Sequence, residues 1–478
     1  MKRIFFALAG LIMTVSLSSH PWKPSHYVIV DTDGGIDDMR AISMLLASPD
    51  VRVLAVIVSP GALSADNAFR KVKSMLNSYF HEGIPVGINR ESSFVSRNFP
   101  VALQAQWGDE KNLNPDKAPD YLSLIAEILN SGQYKVRFVS LGSMSTAWTA
   151  LNRIPSFKDR ISDFIWSADG YDDRQGFNYN IDRKASEKML KQELLVKIVR
   201  SFSHDDEVFY YQDFLKEISE VQTPYGRKLA GSFTTDLMKE HNFTYSGTDD
   251  MVPLFIHNPS LFLVKTAGNI SDCFPADKVE LRTLAIKILK GETVQETQII
   301  KELPSDPDFF TDDIKPYVEE IMLKHGHDEW FSGVIASEIH RHLGVFEIIG
   351  VKMGVRAREY FNTGVDEFMI VSYAGSTPPL SCMNDGLQVA TGATPGHGLL
   401  TVRNDSVIFP MVEIRYMNRK IRISLLKEIA SKITSELKEI NYIYGLDSNI
   451  YWELVRASTI KYWRDMDRHE IFEITDIN

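Results

Sequence analysis

Apolar residues in this chain follow two periods that alternate. Tyr27-Val28-Ile29-Val30 is a continuous apolar run of strand length, and residues 39–47, beyond a glycine-containing turn, carry helical spacing. Residues 51–58 form a second apolar strand, and 66–80 return to the helical period. The alternation continues with a short strand at 85–89, a helix at 121–129, a strand at 136–141, a helix at 143–151 and a strand ending at 164–166. A polar loop then runs from Ser167 to Asp182. Fully apolar strands separated by helices predict an α/β region whose open, mostly parallel sheet is covered on both faces. In such sheets ligands gather at the carboxyl ends of the strands. The segments after Val30, at Leu141-Gly142-Ser143 and at Ser167 all fall there.

The run Glu302-Leu303-Pro304-Ser305-Asp306-Pro307-Asp308 breaks the pattern and reads as a boundary. Past it come a helix at 314–325, a long helical stretch to Tyr360, a strand at 368–373, strands through Tyr416, and helices near 424–440 and 450–464. This second region predicts a smaller α+β domain. At the other end, Met1-Lys2-Arg3 precedes an apolar run over 4–17 and then Ser18-Ser19-His20, the three parts of a secretory signal. The apolar run is shorter than the roughly 20 residues that span a bilayer. The expected organisation is a signal peptide over 1–22, an α/β domain over 24–310 and an α+β domain over 316–478. The protein is expected to be exported, periplasmic or secreted, with no stable membrane insertion.

At 478 residues the chain can bury two cores, and its net charge of −11 argues against a general nucleic-acid-binding role. Small molecules or a cation are the better partners. The only cysteines, Cys273 and Cys382, fall in different predicted domains, so free thiols are expected even in an exported protein.

The chemistry concentrates in Asp31-Thr32-Asp33-Gly34-Gly35-Ile36-Asp37-Asp38. Alternation along a strand sends Asp31 and Asp33 to one side, while Asp37 and Asp38 open the following helix. A helix N-terminus favours one anion by ~0.3–1 kcal/mol, too little to hold several ionised carboxylates together. A hard, oxygen-preferring cation such as Ca2+ or Mg2+ would neutralise them. Two other readings remain open. Aspartates at a helix start also serve as simple caps. Asp31-Thr32-Asp33 also fits the nucleophile motif of haloacid dehalogenase-type phosphatases, except that Gly35 stands where Thr or Val is expected.

This segment resembles the DxDxGxDD signature of the inosine/uridine-preferring nucleoside hydrolases. The resemblance continues at Leu141-Gly142-Ser143-Met144-Ser145-Thr146, at Gly176-Phe177-Asn178-Tyr179-Asn180-Ile181-Asp182 and at Asp249-Asp250-Met251-Val252-Pro253-Leu254. It implies an open sheet of nucleoside hydrolase type and hydrolysis of the N-glycosidic bond of a small-molecule riboside. It further implies that Asp33, Asp38, the main-chain carbonyl of Leu141 and Asp249 bind Ca2+, and that Asp33 is the catalytic base for the attacking water. Asp37, Asn178 and Asp249 would hold the ribose hydroxyls, Asp31 would stand behind them, and the family commonly forms homo-oligomers. The chain departs from the family pattern at Gly176, where Glu is usual, at Ala62, where Asn is usual, and at Thr248, where many members have His. Asp172, Asp173, Arg174 and Gln175 are candidates for replacement polar contacts.

Downstream, His340-Arg341-His342-Leu343-Gly344, Cys382 and Thr391-Gly392-Ala393-Thr394-Pro395-Gly396-His397-Gly398 resemble the FmdE-like domain of the formylmethanofuran dehydrogenases. The resemblance implies a metal-associated pocket, often with zinc, built on His340, His342 and Cys382, with His397 a weaker fourth. Arg341 and Ala393 depart from that pattern. Imidazole and thiolate suit Zn2+. The readings that compete with an enzyme in the first domain are a calcium-dependent riboside receptor and an activity housed in the second.

Overall fold

The computed structural model describes residues 24–477, apart from 93, 132–133, 169–175, 203–208, 211, 234–247, 294–298, 301–302 and 406. The expected signal peptide and Asp172, Asp173, Arg174 and Gln175 lie outside the described residues. Two compact units emerge: Pro24–Gln295 with Arg358–Thr363, and Glu296–Ala357 with Gly364–Asn478. No helix among the described residues is long and apolar enough to cross a membrane.

The first unit is an α/β domain built on an eight-stranded sheet. Its strands are β1 (His26–Thr32), β2 (Val51–Val58), β3 (Val86–Ile88), β4 (Val136–Ser140), β5 (Ile161–Ser167), β6 (Val196–Val199), β7 (Phe262–Ala267) and β8 (Ile270–Pro275). They lie in the order β3-β2-β1-β4-β5-β6-β8-β7, all parallel except β7, which runs antiparallel to β8. The order reverses at β1, which pairs in parallel with β2 on one side and β4 on the other. The crevice at the carboxyl ends of β1 and β4 is therefore the topological switch point, the place where such sheets bind ligands.

Side-chain alternation distributes the apolar residues between two cores. Val28, Val30, Val56, Val58 and Val139 enter the core that contains α1 (Ile36–Ala47) and α2 (Ala65–Ser78). Ile29, Ala55, Ile57 and Phe138 enter the other, with α3 (Tyr121–Ser131) and α4 (Ser145–Arg153). The same alternation carried one step further turns Asp31 towards α4 and Thr32 towards α1.

The second unit is α+β, as expected. Its five-stranded sheet has the order β10-β9-β11-β12-β13, formed by β9 (Met369–Ser372), β10 (Leu400–Val402), β11 (Met411–Tyr416), β12 (Arg419–Leu425) and β13 (Phe472–Asp476). Only the β9–β10 pairing is parallel. Three helices position its chemistry: α5 (His327–His340), α6 (Val345–Phe361) and α7 (Met383–Thr391). α6 and α7 cross at backbone contact, because a Cβ on Gly350 would lie 2.0 Å from the Met383 carbonyl oxygen and one on Gly386 1.9 Å from that of Glu347. Only glycine permits that approach, which brings the start of α7 beside Glu347. A third helix pairing, with Trp330 stacked on Trp463 at 5.2 Å, anchors the core of this unit.

Candidate metal and substrate site

The turn between β1 and α1 is fixed by its own polar groups. Thr32 Oγ1 donates to Asp38 Oδ1 at 2.5 Å and accepts from Gly34 N at 3.1 Å, and Asp33 N donates to the same Asp38 oxygen at 3.1 Å. Gly34 has φ +81°, and a Cβ there would lie 2.9 Å from that of Ala68, so glycine is needed for both conformation and space. A Cβ on Gly35 would fall 2.6 Å from Asp38 Oδ2 and 3.1 Å from Asp37 Oδ1. The bare backbone leaves room for both carboxylates.

The structure brings Asp37, Asp38 and Asp249 together. One carboxylate oxygen from each lies within 4.8 Å of the others. Asp38 and Asp249 are buried and Asp37 is half-buried. Burial pushes the Asp38 carboxyl up to about 6, reinforced by the like charge of Asp37 and opposed by hydrogen bonding with Asp249, Thr32 and the Asp33 amide. Three all-oxygen donors at this spacing fit a hard cation.

Asp33 stands apart from that trio. Its Oδ1 accepts from Gly35 N at 3.3 Å, and its carboxylate lies in a slot between Gly61 and Gly142, where a Cβ on Gly61 would come within 2.1 Å of Oδ2. The Leu141 carbonyl accepts from Asn178 Nδ2 at 2.6 Å, and the same amide nitrogen reaches the Ser167 carbonyl at 3.1 Å. Asn178 thus ties the ends of β4 and β5, and Trp166 Nε1 adds a bond to the Gly142 carbonyl at 2.9 Å. Asp31 is fully buried and faces α4, accepting from Thr146 Oγ1 at 2.8 Å, with Asn89 Nδ2 in turn on Thr146 at 3.0 Å. Burial raises its carboxyl to about 8, against the hydroxyls of Thr146, Ser59 and Ser140 that lower it. At neutral pH Asp31 is held as the acid, so it adds little negative charge to the turn. Phe177, the neighbour of Asn178, meets Phe94 and Phe99 at ring distances of 6.1 and 5.6 Å, an apolar wall beside that amide.

The segment from 28 to 306 matches the sequence profile of the inosine-uridine preferring nucleoside hydrolases. The chain belongs to that family. Within the nucleoside hydrolases, a pyrimidine-specific ribonucleoside hydrolase of Escherichia coli O1:K1 is 26% identical over 147 residues, 29% of this chain and 46% of that protein. The counterpart from Salmonella enteritidis is 26% identical over 174 residues, 34% and 55%. The chain thus spans about half the length of the curated relatives it matches. Among solved structures, a purine-preferring ribonucleoside hydrolase from Gardnerella vaginalis is similar over 56% of this chain and 99% of its own, at 15% identity and a TM-score of 0.44. An inosine-uridine preferring nucleoside hydrolase from Bacillus anthracis gives 14% identity, the same coverage and a TM-score of 0.44. Residues 339–459 match a second profile, that of FmdE of the molybdenum formylmethanofuran dehydrogenase operon.

In that second segment the structure brings His340 and His342 together, with ring centroids 4.2 Å apart. His340 Nδ1 pairs with Asp385 Oδ2 at 2.8 Å, and its buried Nε2 has no hydrogen-bond partner among the described residues. Both Nε2 atoms border one gap, since a Cβ on Gly344 would lie 3.4 and 3.5 Å from them. A carboxylate on one ring nitrogen with the other left open is how metal-binding histidines are oriented. Cys382 does not close a three-ligand group with them among the described residues. It is half-buried, its thiol pushed up to about 11 by burial and by Asp385 and Glu347. His397 folds back on its own loop, with Nδ1 3.0 Å from the Gly392 carbonyl. Cys273 and Cys382 are both free thiols.

Glu347, at the glycine crossing, is buried with its carboxyl pushed up to about 8, chiefly by desolvation. An acid whose folded value exceeds its unfolded one contributes stability below about pH 4.5 and loses it as pH rises through about 8. Glu347→Gln is therefore expected to gain stability relative to the native chain as pH rises from about 5 to about 9, in urea melts across that range. A pH-independent difference would contradict a buried neutral Glu347.

Proposed function

We propose that the first unit is a calcium-dependent hydrolase of the N-glycosidic bond of ribonucleosides or related ribosides, releasing free base and ribose. The observation that carries this reading is the Asp37, Asp38 and Asp249 trio at the switch point of the sheet, in a chain of the nucleoside hydrolase family. Asp38 and Asp249 would hold the cation, with the Leu141 carbonyl and Asp33 beside them. Bound calcium would supply positive charge that lowers the pKa of the attacking water. Asp33, in its glycine slot, would take the proton that the water gives up as its oxygen bonds to the anomeric carbon. The C–N bond breaks in the same event, its electron pair leaving with the base, and the negative carboxylates stabilise the oxocarbenium-like sugar. Asp37, Asn178 and Asp249 would grip the ribose hydroxyls, and the aromatic wall of Phe94, Phe99 and Phe177 suits an apolar base face.

The substrate shell is altered in this reading. Gly176 offers no side chain where the family has Glu. The Ala62 carbonyl is taken by the Phe99 amide at 3.1 Å, so residue 62 serves the loop rather than the sugar. We further propose that the protein is exported by residues 1–22, and that His340 and His342, with Cys382 closing in, hold Zn2+ in the second unit.

Purified protein incubated with a panel of ribonucleosides, with free base and ribose measured, tests the main reading. Turnover is expected with calcium, to vanish in chelator and to return on adding calcium back. The altered shell also favours a second reading, a riboside receptor. Tight calcium-dependent nucleoside binding with no base released would establish that reading over the enzyme.

A further inference from the structure

The cation site depends on two segments far apart in the chain: the first turn of α1, carrying Asp37 and Asp38, and the turn at 248–250, carrying Asp249. Their like charges repel when no cation lies between them. One contact opposes this directly. Arg40, one turn into α1, clasps Asp250 with its Nε 3.1 and 3.3 Å from the two carboxylate oxygens and its Nη2 at 3.0 Å. Both side chains are buried, at 3% and 0% exposure. The guanidinium also lies over two rings, Phe233 at 4.7 Å and Tyr210 at 5.1 Å, which restricts it on its faces as the carboxylate does in its plane.

We propose that Arg40 and Asp250 are positioning residues for the cation site, an ion-pair strap that holds Asp249 against Asp37 and Asp38 before the cation arrives. The inference rests on the calcium reading above. A two-point fork fixes distance and orientation together, which an apolar contact does not. Asp250 immediately follows Asp249, so anchoring one sets the backbone of the other. Arg40 also cancels the charge that Asp250 would otherwise add beside the trio. The strap lowers the reorganisation needed on binding, so it acts on affinity for the cation and only through that on turnover.

Removing one partner of a buried pair can unfold a protein, whereas replacing both with apolar residues of similar volume is often tolerated. The deciding variant is therefore Arg40→Met with Asp250→Leu in the full chain, read by calcium titration calorimetry and by melting in chelator. The expected result is a melting temperature in chelator near that of the native chain and calcium binding weakened about tenfold or more. A purely structural pair would shift the melt and leave the calcium affinity of the folded protein unchanged, and affinity within about twofold of native overturns the proposal. Should the double variant fail to fold, Arg40→Lys decides: it keeps the charge and loses the fork, and is expected to weaken calcium binding several-fold, with native affinity overturning the strap. If the native chain itself binds no calcium at millimolar concentration, the calcium reading fails and the strap with it.

Discussion

Asp38→Asn is expected to abolish calcium-stimulated riboside hydrolysis, lowering kcat/KM by about a thousandfold or more, equivalent to ~4 kcal/mol of transition-state stabilisation. The substitution is close to isosteric, and its carbonyl oxygen still accepts from Thr32 Oγ1 and the Asp33 amide, which now bond to Asp38 Oδ1. The turn should therefore survive. What is lost is the negative charge at the centre of the trio, where one oxygen becomes an amide nitrogen that cannot ligate a cation. Circular dichroism and the melt in chelator should match the native chain while calcium no longer raises the melting temperature. Full calcium-dependent turnover in this variant would remove Asp38 from the mechanism.

The largest stability effect is expected in the second unit, at Glu329→Gln. Glu329 is completely buried and receives Lys352 Nζ at 2.5 Å and Arg468 Nη1 at 3.1 Å, with His325 Nδ1 at 3.8 Å. Lys352 is itself fully buried, and burial pulls its ammonium below the usual lysine range while Glu329 holds it up. Taking away the carboxylate that Lys352 grips leaves a charge in a medium that cannot solvate it, a cost of about 3–5 kcal/mol. Denaturant melts should show it in the transition of this unit. Glu329→Gln combined with Lys352→Met should recover much of the loss, because the stranded charge goes with its partner. A single-variant cost below about 1 kcal/mol would mean that the cluster is solvated or already neutral.

The strands nearest the site are the easiest to read. Residues 51–58 form β2 without change, and the helices expected at 66–80, 121–129 and 143–151 appear within two residues at each boundary. These segments are buried in the sheet or against it, so their apolar runs carry no competing signal. Other strands are harder to see. β7 (Phe262–Ala267) is an edge strand exposed over most of its length, and β13 (Phe472–Asp476) is another edge, so both mix polar and apolar residues. Asn418-Arg419-Lys420 reads as a solvated turn, yet Arg419 and Lys420 begin β12 after a tight hairpin in which Met417 has φ +52°.

At the site, strand alternation correctly implies that Asp31 shares a side with Asp33, but not that this side faces Thr146 and α4, which leaves Asp31 buried and neutral. The trio itself joins residues some 210 positions apart, a pairing that only the family resemblance reaches. Arg40 carries a signal of another kind: a charged residue amid Met39, Ala41 and Ile42 on a helix buried nearly all round demands a buried counter-charge.

Because β1 is hydrogen-bonded on both flanks in the interior of an eight-stranded sheet, the backbone beneath Asp31 and Asp33 has no fraying edge. Amide exchange along 28–32 should therefore proceed only through rupture of the whole unit, at the slowest rates in the protein. Any gate for ions or sugars has to be sought in the segments laid over that floor.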